Sequence, residues 1–192
     1  MDYEKFIIDK FSHFCLTDEE LKAILGIIHS YSLKRNQLFL ESGNKSENVG
    51  LLLDGLLYSF SMDENGEENI HDFFYSPNQF IVFNYEDYLM EQSSKLSIRC
   101  FQESTMLVFS MENANALFEK FPRFYQFQTS IMQQHFVQAL QRNSILQAKN
   151  AMDKIKAAQW RAPEIFRLFP FSYVASYLGM HRNTFKRALK EI

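Results

Sequence analysis

The chain has 192 residues, 46% of them hydrophobic and 16% aromatic, and a net charge of −3. Its length suits one large domain or two smaller ones, and its 20 Phe and 9 Tyr suit a strand-rich domain with a well-packed core. No basic stretch followed by an apolar run marks a signal peptide, and no long apolar run marks a membrane span, so neither segment is expected and the sequence predicts a cytoplasmic protein.

The first predicted element is a helical lead-in over residues 3–30. Thr17 and Glu20 have the spacing of a capping box, in which each side chain accepts the other residue's backbone amide. The apolar residues that follow fall at helical spacing, namely Leu21, Ile24, Leu25 and Ile28. We expect this segment to pack against the rest of the chain.

From residue 31 to about residue 111 the hydrophobic period becomes that of strands. Turn signals separate the predicted strands, which are Gln37–Glu41, Val49–Leu53, Leu56–Met62, Glu68–Tyr75, Leu96–Phe101 and Met106–Ser110. Short strands joined by tight turns, with no helix between them, predict an antiparallel sandwich or barrel. A barrel of this size either encloses a small ligand or is filled by its own side chains, and the many Phe residues make filling easy.

A helical pattern returns after residue 112, first over 113–120 and then, beyond Pro122, as a long helix over about 123–148. Two apolar stripes run along the long helix, one at Phe124, Phe127 and Ile131 and the other at Tyr125, Met132, Phe136 and Leu140. One face can pack on the barrel, and a second copy of the helix is the economical partner for the other, which predicts a homodimer. Burial of both faces within one subunit is the alternative.

A further helix is predicted over residues 149–160, before a last module at residues 170–192. In that module Ser172 is expected to cap a short helix that Gly179 ends, because glycine readily adopts a left-handed backbone. A second helix opens with His181, Arg182, Asn183 and Thr184, and it carries the cations Arg182, Lys186, Arg187 and Lys190. Two short helices joined by a glycine turn, the second cationic, are typical of a helix-turn-helix that reads the DNA major groove. A plain helical hairpin with a solvated charged face is the alternative.

The charge is divided unevenly along the chain. Residues 149–192 carry nine Lys and Arg against three Asp and Glu, whereas residues 1–148 carry 11 against 20. A basic module beside an acidic one is expected where the first contacts DNA phosphates and the second does something else. The charge pattern therefore predicts separate domains.

In its order of barrel, long helix and helix-turn-helix, the chain resembles regulators of the cyclic-AMP receptor protein (Crp/Fnr) family over nearly its whole length. The most specific stretch is 173–187, which carries the family's Ala, Leu-Gly, Thr and Arg at the family's spacing; residues 49–58 and 63–68 are similar to a strand pair and a polar hairpin of its barrel. The resemblance implies an α+β protein. Its parts are an N-terminal antiparallel β-barrel, a cyclic-nucleotide-binding-like jelly roll, over residues 1–120, a dimerisation helix over 121–148 and a DNA-binding helix-turn-helix domain over 149–192.

The resemblance also implies roles for single residues. Arg182, Asn183 and Arg187 fall where the family's recognition helix contacts base edges, and Arg and Asn can bind guanine and adenine with two hydrogen bonds each. Contacts to the DNA backbone, which position the protein, are expected from His181, Thr184, Lys186, Lys190, Ser172 and Tyr173. The implied partners are double-stranded DNA, a second subunit and, for an activator, RNA polymerase.

The effector pocket departs from the family's pattern. The Gly-Glu pair that holds the ribose in cyclic-AMP binders is missing, and Ser93-Ser94-Lys95 stands where an Arg-Ser pair meets the cyclic phosphate. Cyclic AMP is not expected to bind, because a buried phosphate without a fixed cation is costly to desolvate. A different small-molecule effector, or none, is expected, and the candidate pocket residues are Phe83, Asn84, Tyr85, Lys95 and Arg99, with Phe83 and Tyr85 as plugs.

The sequence does not favour an enzyme or a metal protein. Its five His are scattered, and the paired carboxylates at 67–68 and 86–87 fall in turn-like settings. There is no Gly-rich phosphate loop or serine nucleophile elbow. Cys15 and Cys100 are expected to be reduced, buried thiols, and two cysteines are too few for a four-cysteine iron–sulfur site. The remaining alternative to a DNA-binding regulator is a barrel sensor that acts through protein partners.

Overall fold

A computed structural model describes residues 3–191 of the chain. The helices are Tyr3–Lys10 (α1), Asp18–Ile27 (α2), Tyr85–Leu89 (α3), Met111–Lys120 (α4), Phe124–Leu146 (α5), Ala151–Arg161 (α6), Pro163–Leu168 (α7), Phe171–Tyr177 (α8) and Arg182–Lys190 (α9). The strands are His29–Leu33 (β1), Leu38–Leu40 (β2), Asn48–Met62 (β3), Glu68–Tyr75 (β4), Ile81–Val82 (β5) and Ser97–Ser110 (β6). None of these helices is both long enough and apolar enough to cross a membrane.

The strands form one sheet whose order is β1-β6-β3-β4. Strand β6 pairs antiparallel with both β1 and β2, and β5 pairs antiparallel with β3. The register places His29 opposite Val108 and Leu33 opposite Ser104. This antiparallel sheet with helices before and after it agrees with the predicted α+β class, while its closure into a barrel stays a prediction.

Two compact units make up the chain. Unit 1 contains the chain up to Leu57 together with Phe74–Ile131, and unit 2 contains Tyr58–Phe73 together with the chain from Met132 onward. The division therefore assigns the end of β3 and most of β4 to the unit of the C-terminal helices. The boundaries at residues 120 and 148 expected from the sequence stay a prediction.

The core of unit 1 has two layers, because both faces of β3 are buried. Leu52 packs in one cluster of apolar side chains with Leu40, Ile98 and Met106, whereas Leu51 packs in a second cluster with residues of the N-terminal helices. In a strand, side chains alternate between the two faces, so neighbours must enter different clusters. Leu57 nevertheless shares the cluster of Leu52, although the two are an odd number of positions apart and would face opposite sides of a regular strand. The strand must shift its phase between these two positions.

Gly55 lies at this phase shift and has the positive φ of 105° that such an irregularity requires. A Cβ at this position would lie 2.5 Å from the Cα of Ser104, which is backbone and cannot move aside. We expect Gly55→Ala to destabilise the protein by roughly 2–5 kcal/mol, from the left-handed backbone and the clash together. Urea denaturation measures this loss.

Gly43→Ala is the matched control, because Gly43 has a similar φ of 95° but nothing within 4 Å of a built Cβ. It carries the backbone penalty alone, about 1–2 kcal/mol. Equal losses in the two variants would show that the contact with Ser104 costs nothing.

Local sequence signals are confirmed where one short segment determines the structure. Thr17 Oγ1 accepts the amide of Glu20, and the Glu20 carboxylate accepts the amide of Thr17 at 2.8 Å, which completes the predicted capping box. Strand β4 has the predicted bounds. The long helix α5 begins one residue after its predicted start and ends two residues before its predicted end.

Other expectations were wrong, mostly because pairing with distant segments decides the outcome. Residues 29 and 30 were expected in the helical lead-in and no strand was named over 31–33, yet 29–33 form a strand, since they pair with β6. The predicted strand pairs within β3 and within β6 are each one continuous strand, β5 was not predicted, and α3 lies between β5 and β6, where no helix was expected. Cys15 is exposed, whereas Cys100 is buried as predicted.

Candidate nucleic-acid interface

The turn between α8 and α9 in unit 2 is closed by backbone hydrogen bonds. The amide of Met180 donates to the carbonyl of Ala175 at 3.0 Å, and the amide of Gly179 donates to the carbonyl of Ser176 at 2.9 Å. These two bonds form a Schellman motif, which needs a left-handed residue at its centre, and Gly179 supplies it with φ 63°. The expectation that Gly179 ends the first helix is confirmed. Ser172 does not cap that helix. The helix begins at Phe171, and Pro170 is its N-cap residue, with no side-chain hydrogen bond.

Helix α9 is amphipathic. Phe185 is fully buried and Ala188 is nearly so, and both pack inward. The other side of the helix is exposed and consists of five long polar or basic side chains, Arg182, Asn183, Lys186, Arg187 and Lys190. At 100° per residue these five positions span about 140° of the helix surface, so they form one face. We call this set the cationic face.

The remaining predicted contact residues surround the cationic face. His181 caps α9, because its Nδ1 accepts the amide of Asn183 at 3.2 Å, and its ring is exposed. Thr184 is half-buried in the first turn of the same helix. Ser172 and Tyr173 are half-buried in the first turn of α8, where the ring of Tyr173 lies 5.0 Å from that of Tyr58.

The β3–β4 hairpin of unit 2, Tyr58–Phe73, is hydrogen-bonded to α8. Ser176 Oγ accepts the amide of Ile70 at 2.9 Å and lies 3.3 Å from the carbonyl of Glu68, to which it can donate. On the same side, the ring of Phe73 packs against Tyr177, with 5.2 Å between centroids. These contacts orient the first helix of the pair, and therefore the cationic face of the second.

Arg142 of α5 makes a second link within unit 2. Its guanidinium donates to the carbonyls of Ile70 at 3.3 Å and Tyr177 at 3.4 Å, and lies 4.7 Å from the centre of the Tyr177 ring. Sequence reasoning missed Arg142 and Ser176. One signal was available for the arginine, since apart from His135 it is the only basic or acidic residue of α5.

The two apolar stripes predicted on α5 have different fates. Phe124 is buried, and Phe127 and Ile131 pack into the core of unit 1. In unit 2, by contrast, Phe136 is 65% exposed and Leu140 is 53% exposed. Together with the half-buried Met132 and the exposed Val137, they form an apolar surface that we call the α5 face.

Two of the predicted effector residues of unit 1, Asn84 and Lys95, belong to a hydrogen-bond network centred on the buried Asp87. Its carboxylate accepts bonds from the side chain of Gln92 at 2.8 Å, the hydroxyl of Ser94 at 3.0 Å and the amide of Lys95 at 3.1 Å, and also from the side chain of Asn84. Burial alone would raise the pKa of Asp87, but these bonds together outweigh it and hold the pKa below the ordinary value.

The depressed pKa predicts a pH-dependent contribution to stability. The contribution is fully present above the unfolded-state pKa, about 4, and is lost as the pH falls through the lower folded-state pKa. Asp87→Asn should cost about 1–3 kcal/mol at pH 7, and the gap to wild type should narrow below about pH 4. Urea denaturation across this range measures the gap, with the exposed neighbour Glu86→Gln as control. A gap that stayed constant with pH would contradict the role of the Asp87 carboxylate.

The other effector candidates differ in their surroundings. Phe83 is buried and meets Tyr85 edge to face, with 4.8 Å between ring centroids. The side chain of Lys95 is exposed, and Arg99 is half-buried on β6 opposite Leu38. The structure thus brings Asn84 and the Lys95 amide to one carboxylate.

Within residues 3–191 no cluster of three or more His, Cys, Asp or Glu side chains could hold a metal ion.

No protein-family model matches the sequence, and no curated protein matches it. Solved structures do match the fold. FixK2 from Bradyrhizobium japonicum has a TM-score of 0.71 at 14% identity, with 86% of this chain and 84% of that chain covered. The c-di-GMP-responsive global regulator CLP of Xanthomonas campestris has a TM-score of 0.70 at 13% identity, with 91% of each chain covered. The Thermus thermophilus catabolite activator protein has a TM-score of 0.53 at 16% identity, with 92% and 83% covered. The predicted resemblance to Crp/Fnr regulators is confirmed at the level of the fold.

Proposed function

We propose that this protein is a DNA-binding transcription regulator of the Crp/Fnr type, and that it binds a palindromic operator as a homodimer. The observation that carries the proposal is the cationic face of α9, which gathers five exposed Arg, Lys and Asn side chains on a helix held by a glycine-closed turn. The likeness in fold to FixK2, CLP and the catabolite activator protein supports it. We propose no catalytic activity.

In this proposal α9 enters the major groove. Arg182, Asn183 and Arg187 read base edges, with Arg paired to guanine and Asn to adenine. His181, Thr184, Lys186 and Lys190, together with Ser172 and Tyr173 at the start of α8, contact the DNA backbone. The net positive charge of residues 149–192 supplies the attraction for phosphates.

The α5 face provides the dimer contact in this proposal. Phe136 and Leu140 are one helical turn apart and exposed, so a second α5 packed across a two-fold axis would remove both from water. A two-fold dimer presents two copies of α9, and a spacing of about 34 Å would let them enter successive major grooves. The proposed division is a sensor over residues 1–120, a dimerisation helix over 121–148 and a DNA-binding domain over 149–192.

We also propose that the regulator does not depend on cyclic AMP. Ser94 and the Lys95 amide occupy the segment that the resemblance aligns with the phosphate-binding pair, and both donate to the Asp87 carboxylate. The Asp87 carboxylate thus accepts the hydrogen bonds from the donors that a cyclic phosphate would need. Its negative charge in addition would repel a phosphate.

The proposal is tested by fluorescence anisotropy of labelled DNA from upstream of the protein's own gene, titrated with the full chain at low and moderate salt. We expect specific binding that weakens steeply with salt, because phosphate contacts release counterions. Cyclic AMP should leave the curves unchanged. A folded dimer that bound this DNA no better than a scrambled fragment, at either salt concentration, would favour a sensor acting through protein partners.

A further inference from the structure

Unit 1 contains an apolar cavity of about 100 Å³ that lies outside the Asp87 network. Residues from α2 to α5, from the sheet and from the segment after α1 surround it, among them Phe11, Ile24, Leu51, Leu117 and Ile131. Protein interiors are close-packed and contain few voids larger than one water molecule. A chain with 20 Phe could fill such a space with its own side chains, so the unfilled cavity is a candidate binding site.

The lining determines what the cavity can hold. None of the 19 described residues around it is charged, and the two with polar side chains are Tyr85 and Gln128. A phosphate or carboxylate there would lose its hydration with no cation to replace it. Water is also poorly accommodated, because a buried water needs two to four polar partners. The cavity therefore suits a neutral, mainly apolar molecule.

The size of the cavity limits the occupant further. A dry cavity of about 150 Å³ lined by aliphatic and aromatic side chains is known to admit benzene or xenon. The present cavity is somewhat smaller but partly open to solvent, which gives a ligand both a path of entry and room for one end. This fits a molecule with one aromatic ring or a short alkyl chain and at most one hydrogen-bonding group.

We propose that this cavity, between the sheet and helices α2, α4 and α5, is a binding site for a neutral, ring-sized apolar ligand. Phe127 and Ile131 of α5 belong to its wall, so a bound molecule would contact the helix that continues into unit 2. If the ligand acts as the signal for DNA binding, that part of the inference rests on the proposed function. The binding of the ligand itself does not rest on the proposed function.

The test uses the full chain with ¹³C-labelled methionine methyl groups and toluene as the probe. Met111 lines the cavity, whereas Met62 and Met90 are exposed elsewhere. We expect toluene to shift the Met111 methyl resonance, assigned with Met111→Leu, and to leave those of Met62 and Met90 in place. At about ten times its Kd, toluene should also raise the Tm by roughly 3–5 °C. Benzoate, a charged molecule with the same ring, should do neither.

Two variants that fill the cavity test whether toluene binds inside it. Leu117→Phe and Ile131→Phe each add an aromatic ring to a wall of the cavity and should abolish the toluene shift. Leu89→Phe is the control, because it makes the same Leu-to-Phe change at an exposed residue that does not line the cavity, and it should preserve the shift. Circular dichroism establishes which variants fold. If neither filled variant folds, the shift of the Met111 resonance in the wild-type protein decides whether toluene binds in the cavity. An unmoved Met111 resonance, equal binding of benzoate, or full toluene binding by folded filled variants would each overturn the proposal. None of these readouts involves DNA.

Discussion

Arg182→Ala is expected to weaken operator binding by roughly 30-fold or more and to relax the base preference at one position of each half-site. A bidentate pair between Arg and guanine is worth about 1–3 kcal/mol of discrimination, and a symmetric dimer loses it twice. Arg182 is exposed at the first residue of α9, where no packing role in the fold would confuse the result. Anisotropy with a panel of single-base operator variants measures both effects.

Two further variants separate base reading from attraction to phosphates. Arg182→Lys keeps the charge but loses the bidentate fork, so it should behave much like Arg182→Ala in its base preference. Arg167→Ala removes an exposed arginine from α7 of the same unit and should have little effect on either quantity. If Arg182→Ala and Arg187→Ala both resembled Arg167→Ala, these two arginines would not be the readers of the sequence.

Phe136→Glu is expected to dissociate the dimer and, through it, to reduce operator affinity by about 100-fold or more. Phe136 is 65% exposed in the single chain, so glutamate there costs little in the monomer, whereas two of them facing each other in a dimer would bury and oppose two charges. Losing the second half-site removes the gain from bivalent binding, which is commonly 10²–10⁴-fold. Sedimentation equilibrium and anisotropy measure the two effects.

Gln134→Glu is the matched control, because it adds the same charge to an exposed position about 160° around the helix from Phe136. It should leave both the dimer and the operator affinity intact. A Phe136→Glu variant that kept its dimer mass at micromolar concentration would show that the α5 face is not the subunit contact. If the Phe136→Glu monomer still unfolded cooperatively on heating, the loss of operator affinity would come from the loss of association and not from misfolding.

The sequence allowed correct predictions where chemistry within a few residues determines the structure. The capping box of Thr17 and Glu20 and the left-handed Gly179 depend on groups within five residues of each other, so spacing alone reveals them. The amphipathic α9 follows in the same way from the period of Phe185 and Ala188 among basic residues. The fold class came from the resemblance to the Crp/Fnr family, which rests on the order of such elements.

Structure set by distant partners was beyond the reach of these patterns. Residues 29–33 have four exposed positions out of five and no strong strand signal, and they are a strand because β6 pairs with them. Asp54-Gly55 has the composition of a hairpin turn, yet the chain continues straight through it, since Gly55 is needed where β3 passes Ser104. Both outcomes depend on a segment more than 45 residues away.

The candidate site likewise contains residues that local sequence reveals and residues whose roles depend on distant partners. The residues of the cationic face could be identified from sequence because one helix presents them all. The roles of Arg142 and Ser176 could not, because each binds carbonyl or amide groups of the β3–β4 hairpin, which lies about 70 and 106 residues earlier. The cavity of unit 1 was missed as well, since it is bounded by four helices, the segments between them and the sheet, and has no local pattern of its own.

The membership of the β3–β4 hairpin in unit 2 has a consequence for how this protein can be divided. A fragment beginning at residue 132 would lack the amide and carbonyl groups that Ser176 and Arg142 bind, as well as Tyr58 and the ring of Phe73 that packs 4.2 Å from Phe169. Limited proteolysis or gene fusion at the start of the last helices would therefore not release a self-sufficient module. Recombination between relatives of this fold would have to exchange the hairpin along with the helices, so residues 58–73 and 132–191 are expected to be inherited as one piece.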